Sequence, residues 1–241
     1  DRLGYLPLFY YQSDSFLIFS SKMESLLNSG LISNIEVDKV TLAEQLFFNY
    51  PLSDNTYIKG LKTLPDASIL SVYKTTVQIQ RYWNVDELYQ QKILNKKESI
   101  QLINKSLKNS INKFLNQVND KINFSLTGGW DSRLVLSYML PEHLNQIQTY
   151  SFGAPDSDDI IVPEYISKKE GFSYTPYKLD NDYINNQFLD HARETITLSN
   201  GTRNYKRTHY VYAIKQIAEK SNYLLTGIFG DEVFKVGTPQ G

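Results

Sequence analysis

Phe124-Ser125-Leu126-Thr127-Gly128-Gly129-Trp130-Asp131-Ser132 is where an apolar run, Ile122 to Leu126, stops at a hydroxyl, two glycines, a carboxylate and a second hydroxyl. A helical pattern follows from Leu134. The order predicts a strand, a small turn and a helix, with backbone N–H groups exposed at the helix N-terminus, where partial positive charge collects. Glycines let that backbone approach a phosphate without interference from Cβ. Asp131 would repel the phosphate unless a divalent cation sat between them. Mg2+-bound pyrophosphate, the tail of ATP, satisfies all of these features together. A plain strand-to-helix turn capped by Asp or Ser satisfies the turn residues alone. The Walker A loop does not fit, because it needs wider glycine spacing followed by Lys.

A second stretch narrows the choice. Tyr223-Leu224-Leu225 reads as another short buried strand, and it runs into Thr226-Gly227-Ile228-Phe229-Gly230-Asp231-Glu232. Again a hydroxyl and a glycine end the strand, and a carboxylate pair follows. In a parallel sheet, ligands bind outside the carboxyl ends of the strands. Two such ends, one bringing Asp131 and the other Asp231, can clamp one Mg2+ from opposite sides.

The first stretch resembles the SGGxDS signature of the PP-loop ATP pyrophosphatases, with Thr127 in the first Ser position. The pair of stretches is similar to the synthetase domain of the asparagine synthetase family, whose two loops read SGGxDS and SGEGADE. The N-terminal segment agrees: Asp1-Arg2-Leu3-Gly4-Tyr5-Leu6-Pro7-Leu8-Phe9-Tyr10-Tyr11 resembles the family's DRxGxxPLYY. Phe19 to Leu27, Ile58 to Pro65 and Arg81-Tyr82-Trp83 resemble the segments that follow in the family, in the same order.

The resemblance implies an ATP-dependent amide-forming ligase. A substrate carboxylate would be activated as an acyl-adenylate with loss of pyrophosphate, and ammonia or an amine would then displace AMP. It implies phosphate contacts at Thr127, Gly128, Gly129 and Ser132, with Mg2+ on Asp131 and Asp231. Adenine is expected beside Ser125 and the stretch Ser151-Phe152-Gly153, with Thr226 and Gly227 approaching the nucleotide from the other side. Arg133, where the family has a second serine, reaches a phosphate or merely caps the helix start. Ile228 and Phe229 stand where the family has a glutamate and a glycine, which puts aspartate as the substrate in doubt. The alternative is a nucleotide-binding relative that has lost catalysis.

Composition excludes other classes. Net charge is −1 over 241 residues, and no basic face emerges, so nucleic acid is not an expected partner. No apolar run is long enough to span a membrane, and a cytoplasmic location is expected. With no cysteine there is no disulfide, no thiolate metal site and no cysteine nucleophile, so this chain cannot hydrolyse glutamine by the family's N-terminal cysteine. The chain opens inside a motif without Met, and both ends read as cuts within a longer protein. The expected partners are a small carboxylate substrate and an amine or ammonia donor; a homodimer is left open.

The pattern changes near residue 85. Residues 1–84 carry short strands at Leu8–Tyr11, Phe16–Ser20, Ser68–Tyr73 and Val77–Tyr82, with helical patterns at Lys22–Leu27 and Thr41–Phe48 and a hairpin turn at Gln12 to Ser15. The resemblance makes this the closing part of a glutaminase-like (Ntn) domain. Residues 85–241 alternate helix and strand, an α/β pattern that predicts a parallel sheet with flanking helices, of the PP-loop, adenine nucleotide alpha hydrolase-like kind in the family reading. Helices are predicted at Ser99–Leu115, Leu134–Leu140, Ile160–Lys169, Tyr183–Ile196 and Tyr210–Glu219, and strands at Ile122–Leu126, Ile147–Phe152, Phe172–Lys178 and Tyr223–Thr226. Residues 200–208 form a long loop beside the expected active face, where Arg203, Lys206 and Arg207 meet an anion or simply face solvent. Asp156, Asp158 and Asp159 read as the acidic first turn of a helix rather than a metal cluster. Trp130 is expected to pack beneath its loop, and the three histidines to be surface or packing residues.

Overall fold

Ile122 and Phe124 have no exposed surface and lie in an inner strand of a parallel sheet, with the equally buried Leu126 just beyond its end. The structure, a computed structural model, describes residues 1–74, 76–90, 92–202 and 205–228. It divides into two units: residues 1–93 with 196–202, and residues 94–195 with 205–228.

In the first unit, strands β1 (Phe9–Gln12), β2 (Leu17–Ser20) and β3 (Leu61–Thr63) form an antiparallel sheet in the order β2-β1-β3. The β1–β2 connection is the expected hairpin: the Ser13 N–H donates to the Phe16 carbonyl at 2.9 Å, and Ser13 Oγ accepts from the Ser15 and Phe16 amides. A separate hairpin pairs β4 (Ser68–Tyr73) with β5 (Thr76–Arg81). Helix α1 (Met23–Leu27) supplies Met23 and Leu26 to a core with Phe9, Ile32, Ile58 and Leu61. Helix α2 (Lys39–Phe48) is capped by Asp38 and ends at Asn49 in a left-handed conformation; α3 (Asp86–Tyr89) is a single turn. The strand β3 was not legible, being three residues with Lys62 at its centre.

Residues 196–202 belong to this unit. The Met23 N–H, at the start of α1, donates to Asn200 Oδ1 at 2.9 Å, the Tyr57 hydroxyl donates to the Asn200 carbonyl, and Gln45 Nε2 donates to the Thr202 carbonyl at 3.0 Å. The first part of the expected long loop is therefore fastened structure. Arg203 and Asn204 lie outside the described residues.

The second unit is a mixed α/β arrangement. Strands β6 (Ile122–Ser125), β7 (Ile147–Gly153), β8 (Tyr174–Lys178) and β9 (Leu224–Leu225) form a parallel sheet in the order β8-β7-β6-β9. The helices are α4 (Lys96–Gln117), α5 (Trp130–Tyr138), α6 (Asp158–Glu170), α7 (Asn181–Asn186), α8 (Phe188–Leu198) and α9 (Thr208–Ala218). Among the described residues no helix is long and apolar enough to cross a membrane.

Three expectations change. The helix after the signature begins at Trp130, not Leu134, so Asp131 and Ser132 lie in its first turn. Polar turn residues hid that turn, since the apolar period becomes visible only at Leu134. The expected Tyr183–Ile196 helix is two helices, because Gln187 (φ −128°, ψ −29°) leaves the helical region. Trp130 is 80% exposed rather than tucked beneath the loop.

The core of this unit joins Ile111 and Leu115 of α4 to Ile122, Phe124, Leu126 and Ile147. Two buried asparagines tie it together. Asn112 Nδ2 donates to the carbonyls of Lys108 and Tyr138, both at 2.8 Å, and its Oδ1 accepts from the Leu140 N–H at 3.1 Å, fastening α4 to the end of α5. Asn123 of β6 donates to the carbonyls of Ile217 (3.0 Å) and Ser221 (3.2 Å), fixing the turn that delivers β9 to the edge of β6. A second cluster on the other face gathers Tyr150, Tyr177, Ala213 and Ile217 with Phe152 and Tyr212.

Replacing Asn112 by Ala strands two backbone groups at the α5 C-terminus, the Tyr138 carbonyl and the Leu140 N–H, while the Lys108 carbonyl keeps its helical donor. The expected loss is about 2–4 kcal/mol in urea unfolding, against less than about 0.5 for Lys113→Ala on the exposed face of the same helix. A second test concerns protonation. His209 and His191 both have pKa values pushed below the ordinary histidine range, chiefly by burial, with Arg207 beside His209 and Lys215 beside His191 adding in the same direction. Below about pH 6.5 the unfolded chain therefore binds more protons than the folded one, and stability falls as pH falls. His209→Phe should shrink the loss of stability between pH 7 and pH 5, measured by thermal unfolding; an unchanged loss would remove His209 from the account.

Candidate active site

β6 lies between β7 and β9, so the connection leaving β6 runs to one side while β9 closes the other. In open parallel sheets the crevice at such a reversal of strand order is where ligands sit, outside the carboxyl ends. Thr127 to Ser132 and Thr226-Gly227 are the residues that leave the sheet there.

The helix at this point starts without a cap. Gly129 occupies the cap position (φ −70°, ψ 157°) and no side chain accepts from the first turn of α5. Asp38 caps α2, Asn95 caps α4 and Asp180 caps α7, whereas α1, α3, α6 and α9 start, like α5, without a side-chain cap; what sets α5 apart is the glycine pair that leads into it. An uncapped start leaves N–H groups directed outward with the positive end of the helix dipole behind them.

The loop closes on itself. The Thr127 N–H donates to Ser132 Oγ at 3.0 Å, the Gly129 N–H donates to Thr127 Oγ1 at 3.1 Å, and the two hydroxyls lie 3.2 Å apart. Thr127 and Ser132 thus hold the loop in shape. Gly128 is enclosed: a Cβ there would sit 2.7 Å from the Asp158 carbonyl oxygen, and its N–H donates to Asp159 Oδ1 at 3.0 Å.

Gly227 joins the second stretch to the first. A Cβ on Gly227 would lie 2.6 Å from the Ser132 nitrogen and 2.8 Å from the Asp131 carbonyl carbon. Backbone therefore touches backbone, and only glycine permits it. The fold brings Thr127, Gly128, Gly129, Asp131, Ser132, Thr226 and Gly227 to one place. Asp231, with Phe229, Gly230 and Glu232, lies outside the described residues. Among the described residues no group of three or more His, Asp or Glu side chains is gathered as for a metal. The donors in hand are the half-buried Asp131 and the two hydroxyls, which suit a hard cation that keeps several waters.

Other expected residues fare differently. Arg133 donates from Nε to the Gly129 carbonyl at 3.1 Å, and its guanidinium lies 4.3 Å from the centre of the Trp130 ring. It braces the loop from behind. Ser151 is fully buried; its hydroxyl donates to the Asp159 carbonyl and lies 2.7 Å from the Tyr174 hydroxyl. Ser125 is half-buried and hydrogen-bonded to the Tyr150 hydroxyl, whose pKa burial pushes up to about 12. Phe152 is half-buried, with the His209 ring at 4.9 Å and Tyr210 edge-on at 5.3 Å.

Three residues near the site were not read from sequence as site residues. His209 and Tyr210 follow the polar loop, and the aromatic run His209-Tyr210-Val211-Tyr212 was the available signal. Asp159 does lie in the acidic first turn of α6, as read, yet it also reaches Gly128. Its signal was Pro163, four residues on, which leaves the Asp159 carbonyl without a helical donor.

Comparison with known proteins bears on the family. Residues 1–83 match the family described as glutamine amidotransferase domain, and residues 102–240 match the family described as asparagine synthase. Asparagine synthetase [glutamine-hydrolyzing] 3 of Bacillus subtilis is 34% identical over 87 residues, 36% of this chain and 14% of that protein. A provisionally named asparagine synthetase [glutamine-hydrolyzing] 1 of Methanocaldococcus jannaschii is 27% identical over 169 residues, 70% of this chain and 28% of that protein. The chain thus spans well under half the length of either relative. With more than half its residues matched by one family, in the unit that carries both strand-end loops, the chain belongs to the asparagine synthase family.

Proposed function

We propose that this chain is part of an ATP-dependent amide-forming ligase, its second unit a PP-loop domain and its first the closing portion of a glutaminase-like (Ntn) domain. The observation that carries the reading is the uncapped start of α5 with the Gly227 backbone packed against it. Bare N–H groups, a helix dipole and glycines where a Cβ would intrude are the features a phosphate chain requires. Family membership supports the same chemistry.

In this reading the carboxylate oxygen of a small acid attacks the α-phosphorus of ATP, and the bond to the β-phosphate oxygen breaks. The first-turn N–H groups of α5 and the Thr127–Ser132 loop bind the departing pyrophosphate and stabilise its charge. Ammonia or an amine then attacks the acyl carbon, AMP leaves, and the amine gives up a proton. Mg2+, held by Asp131 and Asp231, supplies charge neutralisation of the phosphates. Ser151 offers only backbone to a ligand, since its hydroxyl is committed to Asp159 and Tyr174. Phe152, with His209 and Tyr210 around it, provides ring surface for adenine. Ile228, 48% exposed beside Gly227, stands where family members have a glutamate, and it favours an acyl substrate less polar than aspartate.

Calorimetry of Mg2+–ATP on this chain tests the reading. Binding is expected in the wild type, weakened at least tenfold in Asp131→Ala and in Asp231→Ala, the order of one lost charge-assisted contact or more. A folded wild type that binds no ATP would overturn it. Gly227→Ala forces two backbones apart; it should cost about 1–3 kcal/mol of stability and abolish detectable ATP binding in protein that circular dichroism shows to be folded. Wild-type affinity in that variant would disconnect the second loop from the site.

A further inference from the structure

We infer that Asp159 is a specificity residue that makes the loop accept metal-bound nucleotide and turn away the free anion; this rests on the nucleotide reading above. The argument begins at Pro163. A proline within a helix has no N–H, so the carbonyl four residues before it, that of Asp159, lacks a helical donor. The Ser151 hydroxyl at the end of β7 supplies one. The Tyr174 hydroxyl of β8 is shared with Ser151 Oγ and donates to the next carbonyl, Ile160, at 3.2 Å. Two successive carbonyls in the first turn of α6 are thereby fastened to two strands of the sheet.

Gly128 closes the opposite side. A Cβ there would meet the Asp158 carbonyl oxygen at 2.7 Å, the carbonyl carbon at 2.9 Å and Cβ at 3.0 Å. With the α6 backbone held from both directions, Asp159 stays beside the loop, and its carboxylate accepts from the Gly128 N–H at 3.0 Å.

That N–H belongs to the glycine pair of the loop whose helix opens without a cap. A carboxylate oxygen on it has the charge and acceptor geometry of one phosphate oxygen. An arriving triphosphate must displace this internal anion and then lie close to it, a like-charge contact of strength set by the local dielectric. A divalent cation at Asp131 offsets both charges. Asp159 therefore weighs heavily against free ATP and lightly against its metal complex. Its exposed position lets the displaced carboxylate turn to water.

Asp159→Asn keeps the shape and the acceptor oxygen while removing the charge; Asp159→Ala removes the acceptor as well. ATP is titrated by calorimetry into wild type and both variants, once with Mg2+ and once in EDTA, with folding checked by circular dichroism. In EDTA both variants should bind ATP roughly tenfold more tightly than wild type, and the gain should shrink as salt rises. With Mg2+ their affinities should stay within about threefold of wild type. Variants that bind free ATP no better than wild type overturn the proposal. So does loss of Mg2+–ATP binding in Asp159→Asn while wild type binds, which would make Asp159 a metal ligand. A wild type that binds ATP under neither condition fails at the nucleotide reading itself, a separate and recognisable result.

Discussion

A strand paired on both edges and covered on both faces has no place to hydrate a polar side chain, yet β6 carries Asn123 at 2% exposure. Its amide is satisfied by the carbonyls of Ile217 and Ser221, at the end of α9 and in the turn that follows. Those two bonds locate β9, which is only two residues long and could not fix its own register through the Asn123–Leu224 and Phe124–Leu225 pairing alone. The position of β9 determines where Thr226 and Gly227 leave the sheet. The contact between Gly227 and the α5 turn therefore depends on an amide buried well below it. A buried polar group is costly unless fully bonded, and for that reason it specifies one arrangement rather than many.

Much of the second unit was legible because its signals are of two plain kinds. Ile122, Phe124 and Leu126 set an apolar stretch that ends in glycines, and Ser99 to Leu115 repeats at helical spacing. Both were read with the correct element type. What escaped reading was set by interactions with no local period. The α5 start at Trp130 is built from polar residues whose side chains serve the loop. Gln187 splits a helix although nothing in its neighbourhood is a helix breaker. In the first unit, β3 exists because β1 needed a partner on its second edge.

The candidate site divides along the same line. Glycines at 128, 129 and 227 were legible as close-approach positions, because a missing Cβ has one physical use in such a turn. The partners of the serines were not. Ser151 was read as a neighbour of the nucleotide, and nothing in that reading foretold that its hydroxyl fills the hydrogen-bond gap that Pro163 leaves in α6. Arg133 was read as reaching a phosphate or capping the helix, and in the fold it lies over Trp130 while holding the Gly129 carbonyl. Charge and residue type can be read from a sequence, but the direction a side chain takes depends on which neighbour is short of a donor.

The fastening of residues 196–202 to the first unit bears on how the chain is made. Asn200 accepts from the start of α1 and is held by Tyr57, yet it is synthesised long after both. At ordinary elongation rates the ribosome takes on the order of ten seconds to travel from Ile93 to Asn200. Through that interval the first unit waits with α1 unclosed, while most of the second emerges behind it. The two units are therefore interleaved in birth order, and a cut between residues 84 and 85 would give an N-terminal piece that can never acquire its last bond.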